Sequence, residues 1–142
     1  EVVYDCNMLL KNGQKILYPH NIDEIVVEFD EKTLALALSN LIHNAIKYSL
    51  EDTIIDLQVE IEKEKIVLKI IDEGIGIPKE DQKHIFDRYF RAENVLLTQG
   101  TGIGLNIAKQ HLENLGASLH FSSKENQGST FTVSIPKKYN NR

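Results

Sequence analysis

Residues 31–48, EKTLALALSNLIHNAIKY, followed at 54–71 by IIDLQVEIEKEKIVLKII, decide the fold. In the first stretch Leu34, Leu38, Leu41, Ile42 and Ala45 recur at helical spacing and share one face. The spacing predicts a helix from Glu31 to Tyr48, with Asp30 as its N-cap. Thr33 stands three residues on, where a capping box needs Glu or Gln, so the full box is absent. At Ile54 the period changes from helical to alternating. Ile55, Leu57, Val59 and Ile61 alternate with polar neighbours, and Lys65–Ile71 alternates before ending fully apolar. Glu62-Lys63-Glu64 between them reads as a hairpin turn.

Working outward, Val2, Val3, Cys6, Leu9 and Leu10 fall at helical spacing, with Asn12-Gly13 as a stop. Two extended pieces are expected at Gln14–Tyr18 and Glu24–Phe29, split by Pro19-His20-Asn21. Downstream, a short helix is predicted from Lys79 to Phe86 with Pro78 as its first residue. Arg88–Gly100 has no clean period and reads as a loop. A helix at Ile103–Leu115 closes at Gly116, a C′ position. Strands at Ser118–Ser123 and Ser129–Ile135 follow, joined by a polar turn containing Gly128. Interleaved helices and strands predict an α/β fold with helices on one face of a mixed sheet.

The 142 residues fit one domain, 1–142, with an apolar fraction of 42% that suits a globular core. A formal net charge of −5 argues against a nucleic-acid partner, yet leaves room for a nucleotide held by local donors. The single Cys6 excludes an internal disulfide and fits a reducing, cytoplasmic compartment. No apolar run reaches the ~18–20 residues needed to cross a bilayer, so no direct membrane contact is expected. The first residue is Glu1 rather than Met, and the expectation is a piece of a longer protein whose membrane anchor, where one exists, lies elsewhere.

Four segments carry chemistry. Asn40, Asn44 and Lys47 sit at i, i+4 and i+7 on one helix face. Asparagine oxygens can ligate Mg²⁺ and a lysine ammonium can contact phosphate. Taken alone, the segment reads first as a solvated polar face, although Asn is a poor helix former for that purpose. In Asp72-Glu73-Gly74-Ile75-Gly76-Ile77-Pro78 a strand delivers a carboxylate into a turn with two glycines. Such a carboxylate can accept a hydrogen bond from an adenine amino group, and an ordinary acidic turn explains the same residues equally well. Gly100-Thr101-Gly102-Ile103-Gly104-Leu105 opens the last long helix, where free N–H groups and the dipole favour phosphate. Three alternating glycines there are costly without a purpose. The spacing fits neither a dinucleotide fingerprint nor a P-loop. Phe86-Asp87-Arg88-Tyr89-Phe90-Arg91 supplies aromatics suited to packing and two arginines that serve either as surface charges or as phosphate ligands.

The four occur in the order of the GHKL ATPase superfamily, and the chain most closely resembles its histidine-kinase branch over Asp30–Pro136. The resemblance implies a two-layer α/β sandwich of the Bergerat type, binding ATP and Mg²⁺ under a lid at 92–99. It makes Asn44 the Mg²⁺ ligand, Asn40 a support of the metal–phosphate network, and Lys47 a phosphate contact. It sets Tyr48 near the adenine and Asp72 on the amino group, with Gly74, Gly76 and Ile77 shaping the pocket. It carries Arg91 to the phosphates with Arg88 as companion. Gly100, Thr101, Gly102, Ile103, Gly104 and Leu105 seat the phosphates on the helix. Gly128-Ser129-Thr130-Phe131 resembles the family's closing turn, with Thr130 among the nucleotide contacts.

In the hydrolytic branches a glutamate stands where this chain has Asn40, and it activates water. A neutral imidazole is already nucleophilic and needs no such base. The resemblance therefore implies phosphoryl transfer to a histidine, with catalysis by positioning and charge neutralisation. None of His20, His43, His84, His111 and His120 is followed by the acidic residue of the family's acceptor motif. The implied acceptor lies on an upstream dimerisation domain, and the implied downstream partner is a response regulator. A hydrolase and a non-catalytic nucleotide-binding regulatory module are the alternatives.

Overall fold

The computed structural model describes residues 10–19, 29–87 and 104–137. Within them run β1 (Lys15–Leu17), α1 (Glu31–Tyr48), β2 (Ile54–Ile61), β3 (Lys65–Asp72), a short 3-10 helix (Lys79–His84), α2 (Gly104–Asn114), β4 (Ser118–Lys124) and β5 (Gly128–Pro136). The patterns expected at Val2–Leu10, Glu24–Phe29 and Arg88–Gly100 lie wholly or largely outside these residues.

The described strands form one sheet in the order β1-β2-β3-β5-β4, with β1 parallel to β2 and the other pairs antiparallel. Alternation sorts the side chains by face. Ile55 and Leu57 of β2, Ile66, Leu68 and Ile70 of β3, and Phe131, Val133 and Ile135 of β5 are buried on one face. They meet Leu41, Ile42 and Ala45 of α1 and Leu112 of α2 in a single core. The opposite face carries Lys69 and Glu60, paired at 3.3 Å on the surface, and the half-buried Thr132 and Ser134. This is the expected α/β architecture: a mixed sheet with α1 and α2 on one face.

Asp30 caps α1 as anticipated, accepting from the Thr33 amide at 2.9 Å. α2 ends in a Schellman motif in which Ala117 N donates to Leu112 O at 2.9 Å and Gly116 N to Glu113 O at 3.1 Å. The segment expected as a helix at Lys79–Phe86 is instead a 3-10 helix, with Pro78 at the N-cap and no side-chain capping bond. Its end is fixed by packing, since Ile85 is buried and the Phe86 ring meets Phe121 edge-on at 5.6 Å. β1 is shorter than Gln14–Tyr18 because Gln14 is buried and hydrogen-bonded elsewhere. Among the described residues no helix is long and apolar enough to cross a membrane.

Candidate functional site

The centre of the candidate site is the end of β3. Ile66, Leu68 and Ile70 face the core, so Asp72, in the same register, also points toward the helix layer. Its partner across the ladder is Ser129. Asp72 is 9% exposed, and its Oδ1 accepts from Gly74 N at 2.9 Å and Ser129 N at 3.2 Å. Burial pushes its carboxyl from the ordinary 3.8 up to about 6, outweighing the two amide bonds that favour the charge. Among the described residues only Oδ1 has donors, so Oδ2 is open to accept from a ligand.

The chain after Asp72 is held against the end of α1. Ile75 N donates to Tyr48 O at 3.1 Å, and Ser49 forms an antiparallel bridge with Gly74. The approach is close enough that a Cβ on Gly74 would stand 2.5 Å from Tyr48 O and 2.9 Å from Asp72 Oδ1. Only glycine fits there. Ser49 is 1% exposed, and its hydroxyl has no hydrogen-bond partner among the described residues. An unsatisfied buried hydroxyl costs about 1–3 kcal/mol. Ser49 lies beside the Asp72 loop, through the bridge to Gly74.

The loop's other side is sewn to the β4–β5 hairpin. Ile77 N donates to Ser123 Oγ at 2.8 Å, and Gln82 Nε2 donates to Ile77 O at 3.1 Å and Ser123 O at 2.9 Å. Ser123 Oγ in turn contacts Ser129 Oγ at 2.7 Å and donates to Gly128 O at 3.1 Å. Gly76 passes so near the Lys124 carbonyl that a side chain there would collide with it. Asp72 is thus presented by a loop fixed on two sides.

Asn40, Asn44, Lys47 and Tyr48 are half-buried along the flank of α1 that the core residues Leu41, Ile42, Ala45 and Ile46 leave free. The Lys47 ammonium lies 5.4 Å from the centroid of the Tyr48 ring. The structure therefore joins Lys47, Tyr48 and Ser49 to Asp72, Gly74 and Ile75 through the last turn of α1. Among the described residues no three His, Cys, Asp or Glu side chains form a metal-binding group. An amide flank fits a cation held mainly by phosphates and water, as Mg²⁺ usually is.

Ile77 and Leu105 both pack against the core, and Gly104 is the first residue of α2. Arg88, Arg91, Gly100, Thr101, Gly102 and Ile103 lie outside the described residues. Thr130 requires a correction. It pairs with Ile71 and Ser122 and shares the outer face with Thr132 and Ser134, away from Asp72. The residue of that turn beside Asp72 is Ser129. Counting by twos from the apolar Phe131 and Val133 would have found it. Sequence reasoning also missed Ser49, next in line after Tyr48, and the bracing residues Ser123 and Gln82.

Residues 29–139 match the family described as histidine kinase-, DNA gyrase B- and HSP90-like ATPases. The sensor histidine kinase WalK of Bacillus subtilis is 36% identical over 119 residues, covering 81% of this chain and 20% of the relative. The sensor-like histidine kinase SenX3 of Mycolicibacterium smegmatis is 40% identical over 110 residues, covering 76% of this chain and 29% of the relative. The chain thus spans less than a third of either relative's length. The nucleotide-free catalytic domain of histidine kinase ThkA superposes with a TM-score of 0.78 at 27% identity, covering 96% of this chain and 92% of that one. Fold, motif order and sequence agree, and this chain belongs to the family of histidine kinase-, DNA gyrase B- and HSP90-like ATPases.

Proposed function

We propose that this chain binds ATP with Mg²⁺ and presents the γ-phosphate to a histidine on an upstream dimerisation domain, as the catalytic domain of a sensor histidine kinase. The observation that carries the reading is Asp72: a buried carboxylate with one oxygen held by the backbone and the other without a donor among the described residues. A buried acceptor of this kind rewards a ligand that brings an amino group. Adenine's exocyclic amine is such a donor, whereas guanine's carbonyl at the same place is not. Tyr48 flanks the base, and Gly74, Gly76 and Ile77 shape its pocket.

Along α1 the triphosphate meets Lys47, and Asn44 ligates the metal with Asn40 in support. Arg88, Arg91 and the segment Gly100, Thr101, Gly102, Ile103 complete the phosphate contacts, with Gly104 and Leu105 at the helix start. Mg²⁺ held there would supply charge neutralisation for the transferring phosphoryl group. In the transfer a neutral imidazole nitrogen forms the N–P bond as the bond to the ADP oxygen breaks. Asn40 favours this outcome over hydrolysis because an amide cannot take a proton from water. The product phosphohistidine then serves a response regulator. The WalK and SenX3 names support the assignment to a signalling kinase, and a cytoplasmic location follows from that role.

Calorimetric titration of the chain with ATP, with and without Mg²⁺ and against GTP, tests the proposal. Saturable, adenine-selective and Mg²⁺-sensitive binding is expected, and Asp72→Ala should weaken ATP by about 1–3 kcal/mol. Equal affinity for ATP and GTP, or no effect of Asp72→Ala, would remove Asp72 from the base site.

A further inference from the structure

We infer that Lys11 and Gln14 are positioning residues for the nucleotide loop, acting through the last turn of α1. The last carbonyls of a helix have no partners within the helix itself. Gln14 Nε2 donates to Ile46 O at 3.3 Å and to Leu50 O at 3.1 Å. The Lys11 ammonium donates to Lys47 O at 2.8 Å and to Ser49 O at 2.6 Å. The remaining carbonyl, that of Tyr48, accepts from Ile75 N of the Asp72 loop at 3.1 Å. Of the carbonyls from 46 to 50, Lys11 and Gln14 therefore take four and the loop takes that of Tyr48, while Thr53 Oγ1 also donates to Leu50 O at 2.6 Å.

The segment that holds these four is itself firmly set. Lys11 N donates to Gln14 Oε1 at 2.7 Å, and Gln14 N returns to Lys11 O at 3.0 Å. Asp52 N donates to Asn12 O at 3.1 Å, and β1 then pairs in parallel with β2. Gly13 has φ +77, and a Cβ there would run into the Asp52 side chain. Gln14 is 5% exposed, an uncommon setting for a glutamine unless its amide is fully used. A cation is also the charge that a helix C-terminus favours.

The consequence reaches the site because the same turn directs the Lys47 side chain, carries Ser49 to its bridge with Gly74, and offers Tyr48 O to Ile75. Releasing Lys47 O and Ser49 O frees the turn to shift, and the Asp72 loop loses its anchor. By linkage, a ligand that fixes the loop also tightens the grip of Lys11 and Gln14. The inference rests on the nucleotide reading for its affinity arm, and its exchange arm stands apart from that reading.

The test compares wild type with Lys11→Met, Gln14→Leu and Lys11→Arg, by calorimetry with Mg-ATP and by amide hydrogen exchange of the nucleotide-free chain. Lys11→Met and Gln14→Leu are expected to weaken ATP by about fivefold or more, as for loss of a charge-assisted bond. The Ile75 amide should exchange faster in both, while those of Leu119 and Val133 in the sheet stay protected. Lys11→Arg, which can still donate to both carbonyls, should restore affinity and protection. Unchanged ATP affinity in both variants would overturn the inference, as would faster exchange spread evenly over Ile75, Leu119 and Val133, the mark of a simple stability loss. A wild-type chain that takes no ATP would sink the nucleotide reading alone, and the exchange pattern would still decide whether Lys11 and Gln14 control the loop.

Discussion

At its first turn α1 is capped by its neighbour in sequence, Asp30, whereas its last turn is capped by side chains 32 to 38 positions upstream and by the Ile75 amide. The N-terminal cap is exposed and closes within three residues, so it supports the helix and nothing else. The C-terminal turn is a joint between three segments, and the carboxylate loop hangs from it. α2 ends in a third way, closing its own carbonyls locally through the amides of Gly116 and Ala117. A helix end that serves only the helix can be finished by adjacent residues. One that positions a site is finished by the segments it has to hold.

The largest effect should come from forcing that joint apart. Gly74→Val places side-chain atoms against the Tyr48 carbonyl and Asp72. A loss of about 2–4 kcal/mol in urea unfolding is expected, together with loss of ATP binding. Tolerance of valine with normal ATP affinity would show that loop and helix end are not one unit.

Asp72→Asn sharpens the same comparison through pH. The folded carboxyl titrates near 6 against an ordinary 3.8, so the folded state holds the proton more tightly. Its contribution to stability is complete below 3.8 and is lost as pH rises through about 6. Relative to the Asn variant, wild type should therefore lose on the order of 2–3 kcal/mol between pH 4 and pH 7, seen as diverging urea midpoints. Parallel midpoints across that range would mean that Asp72 keeps an ordinary pKa.

The smallest effect belongs to the other end. Asp30→Ala removes an exposed cap whose carboxyl is held below its ordinary pKa by the hydroxyl and amide of Thr33. That contribution is present above the ordinary value and fades as pH falls through the lowered one. A slight drop in urea midpoint at neutral pH is expected, with ATP affinity unchanged. A marked loss of ATP affinity would break the distinction between the two ends.

Much of the molecule is legible in the chain because its signals are local. The bounds of α1, the bounds of β2 and the Asp30 cap follow from period and capping chemistry within a few residues. The Gly116 stop was readable for the same reason. Asp72 was readable because a buried strand running into glycines announces a special turn. Three features were less legible. The short helix after Pro78 became 3-10 because Ile85 and Phe86 are drawn into the core. Ser129 rather than Thr130 stands beside Asp72: alternation from Phe131 gives its face, but its pairing with Asp72 depends on the register between strands far apart in the chain. Gln14, read as the start of a strand, is spent on a helix end 32 positions away.

The chain's own pattern was enough for the class of fold, the order of the described elements and the family, since periodicity, caps and glycine turns act over short spans. It took the folded chain to settle which carbonyls of α1 are held and by whom, that the Ser49 hydroxyl has no partner among the described residues, and that burial pushes the Asp72 carboxyl up to about 6. Those properties depend on desolvation and on donors arriving from segments far apart in the chain, and no local pattern encodes either.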